Sequence, residues 1–240
     1  MTGSSPEKRA EAEGLAVAPA ANWKQSKWLA LVEFAIVGLI FLADDRHLIP
    51  FSKTPLLLLF GWASLRLRGL RWRDVGITRY RSWLVTAVVG VAAGAVLETF
   101  QLLVTQPALA SLLHKQPDLS DFRVLTGNLK LTLLGIALSW TLAAFGEEMV
   151  YRGYLMNRVA DVGGRTQRSW WLSLLVGNIV FGLAHAYQGP TGIIEEGIAG
   201  ALLGVMYLRT GRNLWVPIIA HGTSDTIDAI LIFLGRFPGM

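Results

Sequence analysis

Two adjacent carboxylates, Glu147 and Glu148, follow the run Leu131–Gly146, which contains no charged residue. Charged side chains are costly inside a membrane and usually have a partner, a cavity or a function. On a helix, Glu148 and Arg152 are four residues apart and can form an ion pair. Glu147 lies about 100° further round the helix, so Arg152 would not neutralise it. The spacing predicts one carboxylate in a structural ion pair and one that is free for chemistry.

Two later apolar segments each carry a histidine with a partner four residues away. Phe181 and His185 share one helix face, and His221 and Asp225 share another. Each pair also has a purely structural interpretation, as an interfacial histidine or as a His–Asp ion pair. At about 1.5 Å per residue, both histidines, Asp225 and Glu147 lie near the middle of a hydrocarbon core about 30 Å thick. Their common depth predicts a buried polar site on facing helices.

This set of side chains is suited to hydrolysis of an amide without a covalent intermediate. A carboxylate beside a neutral imidazole can hold and deprotonate a water, and a second imidazole can donate a hydrogen bond to the developing oxyanion. The same residues also approximate a metal site of two histidines and a carboxylate, although the chain has no HExxH motif. Ser224 lacks the GxSxG elbow of a serine nucleophile.

The composition is that of an integral membrane protein. Of its 240 residues, 52% are hydrophobic and only 16% are charged, against about 25% charged in soluble domains. The chain has no cysteine, which excludes disulfides, thiolate nucleophiles and cysteine-ligated metal sites. The net charge of +5 lies largely in short loops between apolar segments. It therefore indicates membrane topology and contact with anionic lipid, and no nucleic-acid partner is predicted.

The apolar segments predict an all-α, polytopic transmembrane bundle of about seven helices. They are Trp28–Ala43, Pro55–Leu67, Trp83–Val104, Leu129–Tyr154, Trp170–Tyr187, Ile193–Leu208 and Leu214–Leu234. A crossing takes roughly 20 residues, so the second segment is short and the first and sixth are marginal. His114–Leu129 could hold an eighth element, although its polarity favours an outside loop.

The positive charges set the predicted orientation. Lys and Arg are concentrated in the N-terminal tail and in the second, fourth and sixth loops, with Arg158 counted in the fourth. Basic loops stay on the cytoplasmic side, which places the N-terminus in the cytoplasm and indicates seven crossings. The tail and the Arg-rich loops favour a bacterial cytoplasmic membrane.

Three regions follow from this pattern. Residues 1–26 are predicted to be a disordered cytosolic tail, since they are polar and lack the apolar core of a signal peptide. Residues 27–82 hold the N-terminal membrane helices and a basic segment, Arg66–Trp83, predicted to lie at the membrane interface. Residues 83–240 form the domain that carries the motifs.

Other features have structural interpretations. Two glycine pairs at GxxxG spacing, Gly90 with Gly94 and Gly200 with Gly204, predict close helix packing. Glu33 and Glu98 are isolated charges that we expect to face the bundle or an interface. Glu195 and Glu196 lack an arginine at the matching spacing, and we interpret them as an interfacial cap.

In this order on successive late segments, the motifs EExxxR, FxxxH and HxxxD resemble the CPBP family, often called the ABI domain. That family groups the type II CAAX prenyl endopeptidases with bacteriocin-processing and self-immunity membrane proteins. The motifs run from Glu147 to Asp225, and the domain with its flanking helices would cover Trp83–Leu234. The resemblance implies an intramembrane glutamic endopeptidase that needs neither metal nor cofactor.

The resemblance also implies roles for individual residues. Glu147 and His185 would activate the water, and His221 and Asp225 would form the oxyanion site. Three residues would support them, two by fixing the helix and one by lining the pocket: Glu148, Arg152 and Phe181. The eukaryotic CAAX endopeptidases have Asn at the position of Asp225, and a carboxylate donates only when it is protonated. We therefore prefer an Asp225 that orients His221.

The implied substrate is a membrane-associated or lipid-anchored peptide. In a bacterial host without protein prenylation, a CAAX substrate is not expected. Two alternatives remain open: a non-catalytic membrane scaffold or bacteriocin-immunity-type protein that keeps the fold, and a zinc metallopeptidase that uses the same residues. A proton-relay transporter is disfavoured, because the two halves show no inverted repeat.

Overall fold

The computed structural model describes residues 26–239, which are helical and contain no β-strand. The predicted tail, residues 1–26, lies outside this range except for Ser26. Seven long helices follow one another: α1 Lys27–Asp45, α2 Thr54–Leu67, α3 Trp83–Leu113, α4 Leu129–Val162, α5 Gln167–Leu183, α6 Gly189–Arg209 and α7 Trp215–Phe233. Each corresponds to one of the predicted apolar segments. Short 3₁₀ helices, Trp72–Val75, Ser120–Leu125 and Ala186–Gln188, lie in three of the connections.

Side chains in the connections fix where the helices begin. The side-chain oxygens of Ser82, Asn128 and Thr166 accept backbone N–H groups at the starts of α3, α4 and α5, each at 3.2 Å. Such caps satisfy backbone donors that have no partner within the helix. Proline in the first turn starts α2 and α6, where its missing N–H costs nothing.

Four helices are long and apolar enough to cross a membrane. They are α3, α4, α7 and the stretch Ala186–Arg209 that contains α6, and they support an integral membrane protein. The count of seven crossings is not confirmed, because α2 has only 14 residues and the remaining helices fall short of the same criteria. Within His114–Leu129 the structure forms only the 3₁₀ helix Ser120–Leu125, which is too short for an eighth crossing.

Helix α4 lies at the centre of the bundle, and every residue of Met149–Met156 is buried. It runs antiparallel to α7 and parallel to α2. Gly146 packs closely against Thr54 of α2, and Gly153 packs against Leu214, just before α7. Tyr151 and Tyr154 contact the phenyl rings of α1 and α2. This central position explains why α4 carries polar side chains into the interior of the protein.

Both glycine pairs allow the close packing predicted from their spacing. A Cβ on Gly90 would lie 2.6 Å from the Ile219 Cβ, and one on Gly94 would collide with the backbone carbonyl of Ala220. Helices α3 and α7 therefore run parallel with their backbones in contact. A Cβ on Gly200 would likewise lie 2.8 Å from the Phe181 ring, so α5 and α6 approach in the same way.

Glu33 faces the interior of the bundle, as expected, but it is not an isolated charge. Its carboxylate accepts hydrogen bonds from Ser64 and from Arg158, and all three side chains are buried. Arg158 lies within α4 rather than in a loop, because the helix continues to Val162. Asp161, one turn later, forms a further ion pair with Arg68 at 3.2 Å. Arg158 therefore ties α1 to α4 and does not count as a loop cation.

The basic segment Arg66–Trp83 contains one turn of 3₁₀ helix, Trp72–Val75, and no longer helix of its own. Most of its arginines are exposed, while Trp72 packs against the core. Its location at a membrane interface stays a prediction.

Candidate active site

Glu148 and Arg152 form the predicted ion pair at the centre of α4. Arg152 Nη1 donates to Glu148 Oε1 at 2.8 Å, and the two side chains are 0% and 1% exposed. The second guanidinium nitrogen, Nη2, donates to the carbonyl of Gly200 on α6 at 2.7 Å. This arginine therefore neutralises the buried carboxylate and attaches α4 to α6.

His221 contacts the same carboxylate from α7, which the sequence did not indicate. Its Nδ1 lies 3.1 Å from Glu148 Oε1, and its Nε2 lies 3.6 Å from Asp225 Oδ1. The first distance is a hydrogen bond, whereas the second is an ion-pair distance too long for one. Glu148 Oε1 thus holds both Arg152 and His221.

Asp225 is held from the opposite side by Ser139 of α4, whose hydroxyl donates to Asp225 Oδ2. One position along, Trp140 Nε1 donates to Thr226 Oγ1 at 3.0 Å. Neither Ser139 nor Trp140 was identified as a site residue from the sequence. A signal was available in the residue type, since Ser139 is a polar side chain within the uncharged run Leu131–Gly146.

Glu147 differs from its neighbour in having no ion pair or hydrogen bond within residues 26–239, whereas Glu148 Oε1 has two partners. The side chain is partly exposed, and its buried Oε2 atom has no hydrogen-bond partner within residues 26–239. The imidazoles of His185 and His221 lie near this carboxylate. Glu147 is therefore the unpaired member of the two glutamates, as the spacing predicted.

His185 lies just past the end of α5 and is partly exposed. Its Nδ1 is 2.9 Å from the carbonyl oxygen of Phe181. Because a carbonyl only accepts, Nδ1 carries the proton. In the neutral ring, Nε2 is then an acceptor.

Phe181 lies between the two imidazoles. Its ring centroid is 4.8 Å from that of His185 and 6.2 Å from that of His221. The Arg152 guanidinium carbon lies 4.7 Å from the same ring centroid. The structure thus brings together all seven residues that the motifs singled out, on α4, α5 and α7.

The helix that carries the two glutamates is not regular. Ser139–Glu147 and Met149–Met156 form π-helical turns, with hydrogen bonds that span one residue more than in an α-helix. Such turns are rare and are found frequently at functional sites. Nothing in the hydropathy of this segment indicated them.

Within the described part of the chain, no group of three or more acidic and histidine side chains has the arrangement of a metal site. The imidazoles instead contact carboxylates and a backbone carbonyl.

Together, the helices and the interior charges define an all-helical integral membrane protein whose polar side chains converge on α4, α5 and α7. Residues 129–227 match the family model described as Type II CAAX prenyl endopeptidase Rce1-like, which confirms the family resemblance stated from the motifs. The matched segment begins with α4 and includes all three motifs. It supports a protease-type membrane enzyme at the level of the family. No curated protein and no solved structure matches the chain.

Proposed function

We propose that the protein is an intramembrane endopeptidase. It would hydrolyse a peptide bond of a membrane-associated or lipid-anchored peptide with a water activated by Glu147 and His185, without a metal. The observation that supports this most directly is the contrast between the two glutamates. Glu148 is fully buried and its Oε1 is engaged by Arg152 and His221, whereas Glu147 is partly exposed and has no hydrogen-bond or ion-pair partner within residues 26–239.

In the proposed reaction, Glu147 removes one proton from a water that also donates to His185 Nε2. The resulting hydroxide attacks the carbonyl carbon of the peptide bond, and the carbonyl oxygen becomes an oxyanion. The C–N bond breaks when the leaving nitrogen takes the proton from Glu147. A positioned base of this kind contributes roughly 10²–10⁴-fold to the rate.

His221 is the proposed donor to the oxyanion, through Nε2–H. Because its Nδ1–H donates to the Glu148 carboxylate, the ring acts in this proposal as an imidazolium, with the second proton on Nε2. This nitrogen has no partner within hydrogen-bond distance, since Asp225 lies 3.6 Å from it. Asp225 accepts the Ser139 hydroxyl, which favours a carboxylate that orients His221 over an acid that donates directly. Glu148, Arg152 and Phe181 would hold these groups in place.

The decisive experiment compares the wild type with Glu147→Gln in the same membranes. We expect membrane peptides that are shortened in wild-type cells to stay intact with Glu147→Gln, and purified wild-type protein in vesicles to cleave them. If the variant cleaves as fast as the wild type, the peptidase proposal is wrong and the non-catalytic scaffold is the better account. Activity lost to a chelator and restored by zinc would instead identify a metallopeptidase.

The proposal includes seven crossings of a bacterial cytoplasmic membrane with the N-terminus in the cytoplasm. Its support is that each apolar segment forms a helix and that the basic loops alternate along the chain. Because the chain has no cysteine, single cysteines placed in successive loops can be labelled one at a time. Labelling of even-numbered loops from outside the cell would contradict this topology.

A further inference from the structure

A small acidic cavity lies beyond the candidate active site, between α3, α6, α7 and the loop after α3. Its volume is about 40 Å³. Four carboxylates line it, one from α3, two from α6 and one from α7: Glu98, Glu195, Glu196 and Asp228. The two from α6 lie well inside that helix, and Glu195 is buried, so the interpretation of this pair as an interfacial cap is wrong.

These carboxylates have no cationic partner in the described part of the chain. No lysine or arginine lines the cavity, and none of the four acids forms an ion pair within residues 26–239. Glu98 and Glu195 are only 2% and 7% exposed. Elsewhere in the protein the buried acids have such partners, as Glu33 has Arg158 and Glu148 has Arg152.

Gln106 of α3 provides an independent indication of a ligand. This side chain lines the cavity and is 3% exposed, yet its acceptor atom Oε1 has no hydrogen-bond partner among residues 26–239. Asp228 Oδ1 on the opposite wall also has none. A buried acceptor without a donor is unfavourable. The cavity therefore offers acceptors from two helices to a group that brings both donors and positive charge.

The chemistry of the lining favours an ammonium group over a metal ion. No set of three acidic side chains here has the arrangement of a metal site. An ammonium group needs no fixed coordination shell and carries three donors. The volume of about 40 Å³ holds such a group, since a single water needs roughly 10–15 Å³.

The cavity lies next to the proposed active site along α7 and α3. Asp228 lies one helical turn after Asp225. Ser224, the residue before Asp225, donates to Glu98 Oε2 at 2.6 Å. Glu196 is close enough for its charge to interact with that of Glu147. A peptide held at Glu147 would therefore have a neighbouring side chain within reach of the cavity.

We propose that this cavity binds the ammonium group of a lysine side chain in the peptide substrate, and so selects substrates with a lysine near the cleaved bond. That the ammonium group belongs to a peptide substrate rests on the proposed function, whereas the binding of an ammonium group does not. A direct binding measurement separates the two.

The test uses the full-length protein in detergent and two probes, Nα-acetyl-lysine methylamide and its Nε-acetylated form, which lacks the charge. We expect the lysine probe to raise the unfolding temperature in a saturable way and the acetylated probe to leave it unchanged. Equal shifts with both probes, no shift with either, or the same shift with sodium chloride at equal ionic strength would overturn the proposal. This comparison needs only the wild-type protein.

Variants then locate the binding. Glu196→Gln and Asp228→Asn should each weaken binding of the lysine probe by about tenfold, because each replaces a carboxyl group of the cavity with an amide. Asp121→Asn is the matched control, an exposed carboxylate outside the cavity lining, and should bind the probe normally. A control that weakens binding as much as the cavity variants would refute this location.

The same measurement on Glu147→Gln separates this proposal from the peptidase proposal. If the wild type cleaves no peptide but both proteins bind the lysine probe, the cavity assignment stands and the peptidase proposal falls. If the wild type cleaves a peptide but neither protein binds the lysine probe, the peptidase proposal stands and the cavity assignment falls.

Discussion

Loss of the cation beside Glu148 should lower stability, whereas loss of the Glu147 carboxylate should lower activity. Arg152→Gln leaves Glu148, which is 0% exposed, without its cation. Breaking a buried ion pair in this way costs about 3–5 kcal/mol. Glu147→Gln removes no hydrogen bond from Oε2, so we expect it to change the free energy of unfolding by less than about 1 kcal/mol. Its activity should instead fall by about 10²–10⁴-fold.

Tryptophan fluorescence during thermal unfolding in detergent measures the first effect, since the chain has nine tryptophans. If 1 kcal/mol shifts Tm by about 2–4 °C at this size, Arg152→Gln lowers Tm by roughly 6–20 °C. Glu147→Gln should unfold within a few degrees of the wild type. Cleavage of a membrane peptide by the same preparations measures the second effect.

A double variant tests the cause. Glu148→Gln combined with Arg152→Gln leaves no buried charge of this pair unpaired, so it should be more stable than Arg152→Gln alone. The reasoning fails if Glu147→Gln destabilises the protein as much as Arg152→Gln does. It also fails if the stability that the double variant loses relative to the wild type equals the sum of the losses in Glu148→Gln and Arg152→Gln.

Three further outcomes follow from the contacts. Gly94→Ala should lower Tm, because the new Cβ would collide with the Ala220 carbonyl, whereas Gly38→Ala, with nothing within 4 Å, should leave Tm unchanged or slightly raised. Equal effects of the two would contradict the close packing of α3 and α7. Ser139→Ala removes a hydrogen bond to Asp225 and should lower kcat more than it raises KM; an unchanged kcat would show that this bond does not position the site. A chelator should leave peptide cleavage unaffected, and zinc-dependent recovery would contradict the metal-independent mechanism.

The helices and the local pairs could be predicted from the sequence because both depend on short spacing. Apolar runs predicted the helices α1 to α7, and the four-residue spacing predicted the ion pair of Glu148 with Arg152. The ends of the elements were less certain, since α4 extends to Val162 and takes the charged residue Arg158 into the interior. Charge alone suggested a loop, but a buried arginine is stable where a carboxylate meets it.

Contacts between distant segments were beyond sequence reasoning. The bond of His221 to Glu148 and that of Ser139 to Asp225 depend on how α7 lies along α4, which no local pattern specifies. The π-helical turns of α4 were missed for a related reason. Predictions from periodicity assume the same rotation per residue throughout a helix, and the hydropathy of a segment does not reveal a π-helical turn.

The glycine contacts restrict how a peptide could reach the interior from the side. Along α3 and α7, Gly94 touches the backbone of Ala220, and along α5 and α6, Gly182 approaches the backbone of Ile193. At these two positions no side chain can rotate aside to open a gap, because backbone already meets backbone. A chain that arrives laterally from the lipid must therefore pass between other helices, where side chains rather than main chains form the barrier.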